Sequence, residues 1–143
     1  RSGGNVCLCP LTEANLADGI CDMHRIVKQG GCLSLGSDSN ARISMLEELR
    51  WMEYAQRLHT EERGICIDST GSMARYLIDA ATKNGARCLG IPAGDIAVGK
   101  LADFTIIDLE HPQLSGATPG TLGAALCCGA DNSVIQQTII EGL

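Results

Sequence analysis

Aromatic side chains are scarce in this sequence: one Trp, one Phe and two Tyr make up 3% of 143 residues. Any core must therefore be packed from Leu, Ile, Val, Ala and Met. Basic residues are also few. Eleven Lys and Arg against 17 Asp and Glu give a formal net charge of −6, which repels phosphate backbones and argues against nucleic-acid binding. No apolar run reaches the roughly 18 residues of a membrane-crossing helix, and Arg1–Asn5 carries no signal-peptide core. Only three histidines occur, His24, His59 and His111, and they form neither H-x-H nor H-E-x-x-H. A histidine-rich metal centre is therefore not encoded here, and each histidine reads as a surface or helix-end residue. No C-x-x-C pair supports a structural zinc site. The glycines make no phosphate-binding fingerprint, and no nucleophile elbow is present.

What is present describes a folded chain. Hydrophobic residues reach 45% and charged residues 20%, outside the range of a wholly disordered segment. Seventeen glycines imply many tight turns. The eight cysteines lie mostly in apolar runs such as Val6-Cys7-Leu8-Cys9 and Gly31-Cys32-Leu33. That context reads as free thiols in a reducing, cytoplasmic compartment and not as a disulfide framework.

The order of elements suggests α/β organisation. Asn5–Cys9 reads as a buried strand ended by Pro10, Leu11–Ile20 as a polar loop, and Asp22–Lys28 as a short helix ended by Gly30-Gly31. Cys32–Leu35 reads as a second strand, parallel to the first across the crossover. Ser44 and Glu47 form a capping-box pattern opening a long helix. Met45, Leu49 and Met52 make its apolar stripe, widened by Trp51, Ala55 and Leu58, while Glu47, Glu48 and Glu53 read as a solvated face. A further helix is expected from about Ser69 or Thr70 to Asn84, capped by Gly85. Beyond Ile91-Pro92 the pattern becomes β-rich, with a strand at Phe104–Leu109 and another at Ser133–Ile140. Thr118-Pro119 reads as the start of a short helix running through Cys128.

Asp38 is the first candidate for chemistry. A carboxylate just beyond a buried strand can hold a metal or take a proton from a metal-bound water. It can equally cap its own loop. Glu13 and Asn15, beyond the first strand, could contact an amine, amide or carboxylate of a small substrate, or organise their loop through backbone hydrogen bonds. In a parallel barrel all three would share the rim at the strand ends.

The block Cys9-Pro10-Leu11-Thr12-Glu13-Ala14-Asn15-Leu16-Ala17-Asp18-Gly19, the turn Gly36-Ser37-Asp38-Ser39-Asn40 and the helix Glu47-Glu48-Leu49-Arg50-Trp51-Met52-Glu53-Tyr54-Ala55-Gln56-Arg57-Leu58 resemble the amidohydrolase superfamily, and within it the formimidoylglutamate deiminase branch. The tail Gly94-Asp95-Ile96-Ala97-Val98-Gly99-Lys100-Leu101-Ala102-Asp103-Phe104 is similar to the wider superfamily. The resemblance implies the C-terminal portion of a metal-dependent (β/α)8 TIM barrel. Residues 1–90 would hold the last two strands and following helices, and residues 91–143 would return into a small β-rich domain. It implies Zn2+ as cofactor, Asp38 as metal ligand and catalytic residue, and Glu13 and Asn15 as part of the active-site rim. The histidine ligands and acid/base glutamate would lie in a missing N-terminal portion of the same protein. Asn40 stands where many members of the branch have histidine. Arg42 and Arg50 would organise the barrel end. The implied reaction is hydrolytic deimination of N-formimino-L-glutamate to N-formyl-L-glutamate and ammonia, with a small-molecule substrate and no nucleic-acid or membrane partner. The alternatives are another deaminase or chlorohydrolase of a heterocycle, or a non-catalytic piece. Two strands cannot close a barrel, so exposed apolar surface, weak folding or homo-oligomerisation is expected in isolation.

Overall fold

The computed structural model describes residues 4–143. Strand β1 (Asn5–Leu8) pairs in parallel with β2 (Cys32–Leu35), in the register Asn5 to Cys32 through Leu8 to Leu35. The expected crossover therefore forms. Only Leu8 of β1 is buried, however; Asn5, Val6 and Cys7 are exposed because β2 is the strand's sole partner among the described residues.

The segment expected to be a polar loop instead opens with helix α1 (Pro10–Leu16). Pro10, read from sequence as a strand terminator, sits at the first helical position, where its fixed φ suits the turn and its missing N–H costs nothing. Ala17 closes the helix in the left-handed region. Helix α2 (Met23–Lys28) starts where expected, with the Asp22 carboxylate accepting from the Arg25 N–H at 3.0 Å.

Helix α3 (Met45–Thr60) is the longest element. Ser44 caps it, its hydroxyl oxygen accepting from the Glu47 N–H. The reciprocal half of the capping box is replaced by an ion pair, because the Glu47 carboxylate meets Arg42 at 2.7 Å. Leu49 and Met52 are buried as the stripe predicts, whereas Trp51 and Leu58 are exposed. The solvated acidic face is a wrong expectation for two of its three members: Glu48 and Glu53 are both 0% exposed. Glu48 lies four residues before Met52 and Glu53 four after Leu49, so helical spacing puts both on the inward side, whereas Met45, the other expected stripe residue, is exposed.

In place of a helix running to Asn84 and a short helical link from Gly85 to Gly90, the division falls at Thr82. Helix α4 (Met73–Ala81) is capped by Ser72 and ends at Thr82; helix α5 (Lys83–Leu89) follows. Gly85 lies inside α5, and Gly90, with φ of 70°, is the left-handed cap. A side chain on Gly94 would lie 2.6 Å from the Thr82 carbonyl oxygen, so another stretch of chain presses against the junction. Just beyond it, the Asn84 amide donates to the Leu33 carbonyl at 2.8 Å, holding α5 to β2.

Strands β3 (Phe104–Ile107) and β4 (Ile135–Ile139) form an antiparallel pair with an irregularity at Ile106/Ile107. Between them lies helix α6 (Leu122–Gly129). It begins later than Thr118-Pro119 suggests, because the Thr118 N–H donates to the Thr121 hydroxyl and shapes a turn first. Gly123 lets α6 approach α4 closely: a Cβ there would be 2.9 Å from that of Ala74. The core joins Leu8, Leu33 and Leu35 of the strands to Leu49, Met52 and Leu77 of the helices and Cys127 of α6. A second cluster holds Leu114, Ala130 and Val134. Just after α6, Asn132 reaches back to α3, accepting from the Ser44 hydroxyl at 2.9 Å and donating to the Ile43 carbonyl at 3.1 Å. Arg50 Nη2 donates to the Ala130 carbonyl nearby. No described helix is long and apolar enough to cross a membrane. Apolar side chains do remain exposed, Val98, Leu143 and Ile96 most fully.

Candidate functional site

The strand ends of β1 and β2 carry two loops that meet. Thr12, in the first turn of α1, is buried and donates its hydroxyl to the Ser37 carbonyl at 2.8 Å. Ser37 begins the turn after β2, which the Asn40 N–H closes by donating to the same carbonyl at 3.2 Å. Asp38 sits within that turn at φ of 49°, a left-handed conformation that Asp tolerates better than most residues. Its carboxylate is exposed and enters no ion pair among the described residues.

Glu13 is half-buried on α1, and its Oε1 accepts from the Cys9 N–H at 2.8 Å. One oxygen thus fixes the start of the helix, which is the loop-organising role open to it from sequence. Asn15 is exposed two residues on, about 200° around the helix from Glu13. The two rim candidates therefore do not converge on one point. The charges of Glu13 and Asp38 both act on the Cys9 thiol. That thiol is pushed up to about 11, first by burial, then by contact with Cys7 and by the charges of Asp38 and Glu13. Gly36 makes room for both sulfurs: a Cβ there would lie 3.2 Å from Cys7 Sγ and 3.4 Å from Cys9 Sγ.

Beneath this rim lies Glu48, whose Oε2 accepts from the Leu11 N–H at 2.9 Å. Its pKa is raised, chiefly by burial and further by Glu13 and Glu47, against the opposing help of the Leu11 N–H and the Asn40 side chain. Sequence reasoning missed Thr12 and Glu48. The signal for Glu48 was its place on the apolar stripe; Thr12 had no signal beyond its place in the quoted block. A cavity of about 380 Å³ opens on the other side of α1, lined by Leu8, Pro10, Glu13, Cys21, Trp51 and Met52 among others. Its lining is mostly apolar, with Glu13 and Gln56 among the polar side chains, and does not include Asp38.

The residues described do not by themselves make a metal site: no group of three His, Cys, Asp or Glu is placed to hold an ion among them. Asp38 offers a single exposed oxygen donor. The histidines stand apart, His24 on α2, His59 in the last turn of α3, and His111 before β4, where its Nδ1 accepts from the Gln113 N–H. Arg42 is tied to Glu47 on the surface, and Arg50 joins α3 to the end of α6.

A parallel strand pair flanked by helices, with its polar loops at the strand ends, is the architecture of a piece of an α/β barrel enzyme. The chain belongs to the amidohydrolase family, whose model matches residues 1–143. It is 43% identical over 136 residues to formimidoylglutamate deiminase of Pseudomonas aeruginosa, a match covering 94% of this chain and 30% of that protein. It is 33% identical over 142 residues to 5-methylthioadenosine/S-adenosylhomocysteine deaminase of Thermococcus onnurineus, covering 99% of this chain and 32% of that protein. Among solved structures, an adenosine deaminase of Xanthomonas campestris with bound zinc superposes with a TM-score of 0.81 at 26% identity, over 96% of this chain and 31% of that one. The chain thus spans about a third of the length of the relatives it matches.

Proposed function

We propose that this chain contributes to a metal-dependent hydrolase that deiminates N-formimino-L-glutamate. The reading rests on one observation: identity to the formimidoylglutamate deiminase is 43%, against 33% for the purine-nucleoside relative, over comparable stretches. In the reaction water adds to the formimino carbon, the C–N bond to the terminal nitrogen breaks, and ammonia leaves N-formyl-L-glutamate. We take residues 1–90 as the barrel portion and 91–143 as the return into a small β-rich domain.

Zn2+ is the proposed metal, with Asp38 as one oxygen ligand and the remaining ligands supplied from outside this chain. When bound, such an ion lowers the pKa of water so that a nucleophile exists near neutral pH. Asp38, exposed at the strand ends, accepts the proton of the attacking water. Glu13 and Asn15 line the rim, with Glu13 fixed by its bond to the Cys9 N–H. The substrate carboxylates require cations from elsewhere, since Arg42 is committed to Glu47 and Arg50 to Ala130. Eight free thiols suit a reducing, cytoplasmic setting.

The test is zinc content and ammonia release from N-formimino-L-glutamate, for this chain and for a form extended upstream, each with an Asp38→Asn variant. Turnover by the extended form alone, lost in the variant, supports the reading. Stoichiometric zinc and turnover by the 143-residue chain would overturn the shared-site assignment. Turnover of an adenosine-type substrate in place of the formimino compound would move the assignment to the nucleoside deaminases.

A further inference from the structure

Glu48 reaches towards both rim loops from below. It is 0% exposed. One of its oxygens accepts from the Leu11 N–H at 2.9 Å, in the first turn of the helix that carries Glu13. The Asn40 side chain, two residues past Asp38, acts on the same carboxylate and favours its charged form. Asn40 is itself oriented, since its Oδ1 accepts from the Arg42 N–H at 3.3 Å. The second oxygen, Oε1, is buried with no well-formed hydrogen bond from any described residue.

A packing role does not account for this arrangement. A buried carboxylate is disfavoured by desolvation, and an apolar side chain of similar volume would fill the same space more stably. Retaining an acid here, with one oxygen unsatisfied, fits a role at a working site better than a role in the core. The contacts also have a direction. Leu11 neighbours Thr12, and Thr12 holds Ser37, so Glu48 closes a circuit that already links the two loops through one hydrogen bond.

We propose that Glu48 is a positioning residue whose carboxylate clamps the first turn of α1 to the Asp38 turn and so sets the separation of Asp38 and Glu13. It touches no reacting atom; it acts through Leu11 and Asn40. The kinetic part rests on the deiminase reading above, whereas the structural part does not.

The test uses Glu48→Met, which keeps the volume and removes the acceptors, and Glu48→Gln, which keeps one acceptor. In the 143-residue chain, amide NMR of Glu48→Met is expected to show shifts at Leu11, Asp38 and Asn40 together, with Thr105 of β3 unmoved as a distant control. Glu48→Gln should restore most of the three. A shift confined to Leu11 would mean that Glu48 only satisfies one amide and would overturn the proposal. In the complete deiminase, Glu48→Met is expected to lower kcat by about 10- to 100-fold with KM changed less than about threefold, the pattern of displaced groups in an intact binding site. Glu48→Gln should recover kcat to within about fivefold. Unchanged kcat in folded Glu48→Met, or equal loss in both variants tracking loss of folded protein, would also overturn it. A wild-type protein that leaves N-formimino-L-glutamate untouched would sink the substrate assignment alone, because the three amides still report on the clamp.

Discussion

Replacing Glu53 should destabilise this protein more than replacing any other surface-coded acid on α3. The side chain is 0% exposed and satisfies three consecutive amides of the following loop: Oε1 accepts from Gly64 and Ile65 at 3.1 and 3.3 Å, and Oε2 from Cys66 at 2.8 Å. Arg57 donates to Oε1 at 2.8 Å from one turn further along. In Glu53→Ala the Cys66 amide stays buried and loses its acceptor, a loss of about 1–3 kcal/mol. Gly64 and Ile65 are only half-buried and recover water, so they add about half a kcal/mol each on the scale of a net hydrogen bond, about 1 together. Arg57 keeps some solvent access and adds little. The sum is roughly 3 kcal/mol, near the low end for breaking a buried pair. Glu53→Gln keeps one carbonyl acceptor and should lose about half as much, roughly 1–2 kcal/mol.

The pH dependence has a definite sign. Burial raises the Glu53 pKa, but Arg57 and the Cys66 amide outweigh it, so the folded value falls below the reference of 4.5. The unfolded chain therefore binds the proton first. The contribution is full above the unfolded pKa and is lost as pH falls through the depressed folded value. Urea titration at neutral pH and again in acid reads both effects, provided the m-values agree. The gap between wild type and Glu53→Gln should narrow in acid. A neutral-pH difference below about 0.5 kcal/mol, or a gap that widens on acidification, would refute the reasoning.

Two further outcomes follow from packing. Gly123→Val should push α6 off α4, since even a Cβ meets that of Ala74 at 2.9 Å; a loss of about 1–3 kcal/mol in the urea midpoint is expected, with Gly129→Ala as the mild control, its Cβ meeting nothing within 4 Å. Alkylation with iodoacetamide should label exposed Cys7 and Cys88 first, while Cys127, buried and pushed up to about 12 mainly by desolvation, and Cys66, raised further by burial and by Glu53, should react only after unfolding.

The elements that sequence located well are those with local causes. Asp22 and Ser44 are capping residues whose side chains act within one turn, and β2 is an apolar run with glycine at each side. The losses arose where charge was read ahead of position. Glu48 and Glu53 read as solvated because they are acids, although their spacing from Met52 and Leu49 turns them inward. The α4–α5 break is harder to read: at Thr82, whose hydroxyl donates back to the Ile78 carbonyl, the close approach of Gly94 is not announced by the neighbouring sequence. At the site, Asp38 is legible as a candidate because it stands in the turn just beyond β2. Glu13 and Asn15 stand on different faces because α1 is helical, and a two-residue spacing that suits a strand separates side chains on a helix.

The bonds from Asn132 to Ser44 and Ile43 span 88 and 89 residues. On a ribosome adding about 5–20 residues per second, α3 would emerge roughly 4–18 s before the residue that steadies its leading end. During that interval Ser44 has only its own helix to serve, and the apolar bed that α6 will cover lies open. A nascent chain stalled in this stretch would present that bed to chaperones or to other nascent chains, so the pace of translation between residues 44 and 132 bears directly on how much of the protein matures.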